Sequence, residues 1–102
     1  MTAFVLIHGG FMGGWVWKPT VGVLTAAGHE VFAPSLDGCG ERASQVRAGI
    51  SLTSQAEEVA DLLFCQDVND AVLVSTSTGG LVAAKTAELA RVRREVAAKF
   101  PS

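Results

Sequence analysis

The sequence predicts an α/β protein: a three-layer parallel sheet of about three strands, in the order second-first-third, with flanking helices. Three observations support this class. Three short apolar runs, two of them rich in β-branched residues, alternate with segments of helical periodicity. The first and third runs are continuously apolar rather than alternating, which suits strands covered on both faces. Each of these two runs also ends in a cluster of small and polar residues, the punctuation expected where a strand turns into a loop or helix.

Length and composition fit that class. The 102 residues make one domain, 1–102. Apolar residues are 49 % and charged residues 18 %, enough to build a core and too apolar for a disordered chain. A formal net charge of −2 without a basic stripe argues against nucleic acid or an acidic membrane surface as a partner. No apolar run reaches transmembrane length, and the start lacks the long apolar core of a secretory signal. The expected location is therefore the cytoplasm. Cys39 and Cys65 have neither metal-ligand nor redox spacing, so two reduced thiols and no metal site are expected.

The first strand is Ala3-Phe4-Val5-Leu6-Ile7, stopped by His8-Gly9-Gly10. Trp17 to Ala27 follows as a helix, with Val21, Leu24 and Ala27 at helical spacing. Pro19 lies where an N-terminal proline is tolerated, and Gly28 where a C-terminal cap belongs. Glu30-Val31-Phe32-Ala33 is the second strand, ended by Pro34. Ser54 to Phe64 carries Ala56, Val59, Ala60, Leu63 and Phe64 on one stripe, and Ser54 with Glu57 reads as a capping box. Ala71-Val72-Leu73-Val74-Ser75 is the third strand. A last helix starts near Gly79, runs through Leu81, Ala84, Glu88 and Val92, and ends at Pro101.

Right-handed crossovers can put the third strand on the far side of the first from the second. The strand order then reverses between the first and third strands, and a crevice opens at their carboxyl ends. Those ends carry His8-Gly9-Gly10-Phe11 and Ser75-Thr76-Ser77-Thr78-Gly79, the two most unusual loops in the chain. The second sits between a buried strand and a helix, the setting of a nucleophile elbow. Such an elbow holds a serine in a strained turn and needs small residues two before and two after it. Ser75 and Gly79 are small enough. The plain alternative is a polar turn in which Ser77 or Thr78 caps the helix.

The stretches FVLIHGGFMGGWVW, LTAAGHEVFAPSLDGCGER and DAVLVSTSTGGLVAAKTAELA together resemble the opening half of the α/β-hydrolases. They are more narrowly similar to a bacterial esterase-like branch related to plant methylesterases and hydroxynitrile lyases. The resemblance covers about residues 3 to 91 and implies the N-terminal part of that fold. It implies Ser77 as nucleophile, the backbone N–H groups of Gly10 and Thr78 as oxyanion donors, a small-molecule ester substrate and no cofactor. It also implies that His8 is a structural residue of the oxyanion loop rather than a base. Gly13, Gly14 and the tryptophans mark the loop and the start of the next helix, and packing under the loop is favoured for them over substrate contact.

Two departures from the family pattern bear on activity. Ser75 and Thr76 stand where a glycine and a histidine are usual before the nucleophile. The family also places its acid and histidine after the nucleophile. After Ser77 this chain has Glu88 and Glu95 and no histidine. Of the imidazoles present, His29 falls at the amino end of the second strand, away from the crevice, and Asp37, though on the correct face, is a weak candidate acid. The expectation is a poor or inactive hydrolase by itself, with a third strand whose outer edge invites self-association or a partner chain. A non-catalytic half-fold relic or interaction module is the main rival. A dinucleotide-binding unit is a second, opposed by the missing G-x-G-x-x-G spacing and by bulky Phe11 and Met12.

Overall fold

A computed structural model describes residues 2–10, 12–66, 68 and 70–99, with side chains to residue 93. The expected helix end at Pro101, the side chain of Glu95 and the conformation of Phe11 lie outside that range. Three parallel strands form one sheet: β1 (Ala3–Ile7), β2 (Glu30–Phe32) and β3 (Ala71–Ser75), in the order β2-β1-β3. The second strand is one residue shorter than expected. In the register, Val5 lies opposite Phe32 on one side and Ile7 opposite Ser75 on the other. The carboxyl ends of β1 and β3 are therefore level, and their following loops leave the sheet side by side.

Three helices accompany the sheet: α1 (Lys18–Ala26), α2 (Leu52–Cys65) and α3 (Gly79–Lys99). A 3₁₀ turn over Gly14–Trp17 leads into α1, whose first turn holds Pro19. The expected stop at Gly28 is present: its φ is 89°, a left-handed conformation that glycine adopts without a Cβ clash. A second 3₁₀ turn, Gly40–Gln45, lies between β2 and α2.

The core lies between the sheet and the α2/α3 pair. Val5 and Ile7 of β1 meet Ala56, Val59 and Leu63 of α2, Val82 of α3 and Leu36 from the loop after β2. These two strand residues alternate with Leu6, which is buried on the opposite face. α2 and α3 pack against each other, and α1 packs along β2.

The start of α2 differs from the sequence expectation. The N-cap of α2 is Ser51, not Ser54. Ser51 Oγ accepts from the Ser54 amide at 3.0 Å, and Ser54 Oγ accepts from the Ser51 amide at 2.7 Å. Serine thus does the return capping usually assigned to a glutamate, and the helix starts two residues earlier. On α3, Val82 and Thr86 are buried, whereas Leu81, at 61 % exposed, shares its outer side with exposed Ala84, Glu88 and Val92. On α2 the expected inward residues are in place except Phe64, which is 73 % exposed.

Candidate active site

The candidate site is built where β1 and β3 end together. Beyond Ile7, His8 is fully buried, and its ring ties two loops. Its Nε2 accepts the Leu36 amide at 2.9 Å, which leaves Nδ1 to donate to the Gly9 carbonyl at 2.7 Å. Both nitrogens are committed, as expected for a structural histidine of this loop. The other imidazole, His29, lies at the opposite end of the sheet. Its Nδ1 accepts the Thr2 amide at 3.2 Å and its ring meets Phe4 edge-on.

Beyond Ser75 the chain turns sharply. Gly79 donates to the Thr76 carbonyl at 2.9 Å and Gly80 to the Ser77 carbonyl at 3.0 Å, which starts α3. Ser77 has a φ of 51°, the one positive value at a non-glycine among the described residues. A serine held there stores strain of about 1–3 kcal/mol, and such strain is concentrated at working sites. The geometry demands glycine two residues later. A Cβ on Gly79 would stand 2.4 Å from the His8 carbonyl oxygen, an impossible approach.

The two loops touch. A Cβ built on Gly9 would lie 3.2 Å from Ser77 Cβ, and the Gly10 amide donates to Thr78 Oγ1 at 2.9 Å. The structure thus brings Gly10, Ser77 and Thr78 together, with the α3 N-terminus aimed at the same point. A helix N-terminus is suited to a developing negative charge. The hydroxyl of Thr78 on the Gly10 amide was not foreseeable from the sequence, because it joins residues 68 apart through one side-chain rotamer.

A second layer of contacts fixes these loops. Ser35 Oγ accepts from the Gly14 amide at 2.9 Å and hydrogen-bonds Glu41 Oε1. That bond holds the Glu41 carboxyl below the usual carboxylate range. Asp37 is buried, and its carboxylate is gripped by Arg47 through two bonds of 3.0 and 2.8 Å, with Arg42 at 3.1 Å. The Arg47 hydrogen bond leads the causes that lower its pKa, against the penalty of burial. Arg42 also forms a two-bond pair with Glu58 on α2. Asp37 is therefore engaged in an ion-pair network rather than free beside Ser77. Trp17 is half-buried, whereas Trp15 is 65 % exposed with its ring against Gly13.

Among the described residues no cluster of three or more metal-ligating side chains occurs, and no helix is long and apolar enough to cross a membrane. Cys39 and Cys65 are free.

A three-stranded parallel sheet whose reversal point holds a strained serine beside a glycine-rich loop defines an α/β-hydrolase architecture. The sequence model of the alpha/beta hydrolase family matches residues 4–99, and the chain belongs to that family. It is 35 % identical over 82 residues to a carbendazim hydrolyzing esterase of a Nocardioides strain, covering 80 % of this chain and 34 % of that protein. It is 39 % identical over 83 residues to Methylesterase 8 of Arabidopsis thaliana, covering 79 % and 30 %. Among solved structures it matches an extracellular α/β-hydrolase from a Paenibacillus species with a TM-score of 0.79 at 26 % identity, over 89 % of this chain and 36 % of that one. The chain spans about a third of the length of these relatives.

Proposed function

We propose that this chain is the nucleophile-bearing part of a carboxylic-ester hydrolase. Ser77 Oγ attacks the ester carbonyl, and the amides of Gly10 and Thr78 receive the oxygen that becomes negative. Two such donors supply several kcal/mol of barrier lowering in comparable sites. The observation that carries this proposal is the positive φ of Ser77 at the junction of β3 and α3, with the Gly10 loop in contact beside it. Esterase relatives support a small-molecule ester as substrate.

A serine needs a base to take its proton. His8 has both ring nitrogens engaged, His29 is at the other end of the sheet, and no histidine follows Ser77 in the 102 residues. The 102-residue chain therefore hydrolyses esters weakly or not at all by itself, because an oxyanion site without its triad retains only a small part of the full rate. The outer edge of β3 pairs with no strand among the described residues. In the 102-residue chain by itself, that edge is where a further strand, such as one from a second copy, would add. The two free thiols fit a reducing compartment such as the cytoplasm.

Labelling with an ethoxy fluorophosphonate probe tests the assignment. Covalent capture at Ser77, located by peptide mass analysis and lost in Ser77→Ala, is the expected result. No capture with excess probe over hours would favour a non-catalytic module instead.

A further inference from the structure

We propose that the hydroxyl of Thr78 occupies the place where the acyl oxygen of a substrate must bind. The inference rests on the ester-hydrolase assignment above. In the absence of substrate the Gly10 amide is not a vacant donor. It gives its hydrogen to Thr78 Oγ1 at 2.9 Å, and the same oxygen is the nearest neighbour of a Cβ built on Gly10, at 3.2 Å. The amide required for the oxyanion thus carries a substitute acceptor from the residue directly after the nucleophile.

The obstruction is thermodynamic rather than kinetic. Thr78 is exposed, and exposed side chains change rotamer in picoseconds to nanoseconds, far faster than any acyl transfer. Each binding event must nevertheless exchange one neutral hydrogen bond for another. A neutral ester oxygen gains little from that exchange. An oxygen bearing developing negative charge gains more, because charge-assisted hydrogen bonds are roughly twice as strong. Thr78 therefore adds the same displacement cost to the bound ester and to the transition state, and slows reaction at Ser77 by one uniform factor. Rotation about its χ1 to another staggered well releases the Gly10 amide without moving the backbone.

The test compares wild type, Thr78→Ser, which keeps the hydroxyl, and Thr78→Val, which keeps the shape and loses it. In the ¹⁵N-labelled 102-residue chain, Gly10 amide exchange should be slow in wild type and Thr78→Ser and about threefold to tenfold faster in Thr78→Val, the range of one modest hydrogen bond. The Gly14 amide, held by Ser35 Oγ, should be unchanged and reports that the loop is intact. Fluorophosphonate capture of Ser77 should accelerate by a similar factor in Thr78→Val only. Equal Gly10 exchange in Thr78→Val and wild type overturns the proposal, and so does capture that is equal or slower in Thr78→Val. Absence of capture in every variant means that Ser77 is not activated in this chain, and the Gly10 exchange comparison then decides the proposal by itself, whereas equal capture rates leave the ester-hydrolase assignment standing.

Discussion

Ser77 combines two conflicting demands, since its left-handed backbone costs stability while its hydroxyl is the group the site needs. Ser77→Gly should therefore raise stability by about 1 kcal/mol, the strain relieved minus the extra chain entropy of glycine, while removing fluorophosphonate capture. Urea unfolding followed by tryptophan fluorescence measures the first, and mass analysis the second. Gly79→Ala should act in the opposite direction, at a cost of about 2 kcal/mol, because its methyl group meets the His8 carbonyl. The charged loop after β2 sets the pH dependence. Asp37 has its pKa lowered from 3.8 by Arg47, so its folded-state pKa lies below its unfolded one. Its contribution is then fully present above the unfolded value and is lost as pH falls through that value toward the folded one. The urea midpoint of the wild type should fall between about pH 5 and pH 2, and Asp37→Asn should flatten that fall. Steeper acid loss in Asp37→Asn would contradict the ion-pair account. At this scale the sequence was informative where one residue type alone fits the geometry, as with Gly79. It was silent on which of the arginines Arg42 and Arg47 would reach Asp37, since loop pairings depend on how the chain returns on itself.

The elements were legible to the extent that burial writes a pattern. β1 and β3 were readable to the residue because each is a continuous apolar run that small or polar residues terminate. The start of α2 was misread, because Ser54 and Glu57 match a capping box as well as the pair actually used, Ser51 and Ser54. Ser51→Ala should cost about 1 kcal/mol in thermal or urea unfolding, whereas Glu57→Ala should cost far less. The inward stripe of α3 is not marked by the sequence. Small apolar residues occur all round this helix, so Leu81, Ala84 and Val92 fit helical spacing as well as Val82, Leu89 and Ala90 do. Only packing on Val5 and Ile7 decides between the two stripes, and that contact is between segments distant in sequence.

In the whole molecule, the alternation of elements and the handedness of crossovers allow the order β2-β1-β3 without requiring it, and that order is the one that puts both loops of the candidate site together. The unpaired edge of β3, with Val72 44 % exposed, predicts concentration-dependent association. Sedimentation velocity should show larger species at higher loading, and Val72→Lys should shift the distribution toward the monomer, since an edge lysine opposes strand addition. The same sheet order bears on biosynthesis. β2 and β3 each pair with β1, which leaves the ribosome before either of them. Every pairing within the sheet is thus made by a newcomer docking onto residues already outside the exit tunnel. The sheet can consolidate as translation proceeds, while the outer edges of β2 and β3 both stay unpaired among the described residues.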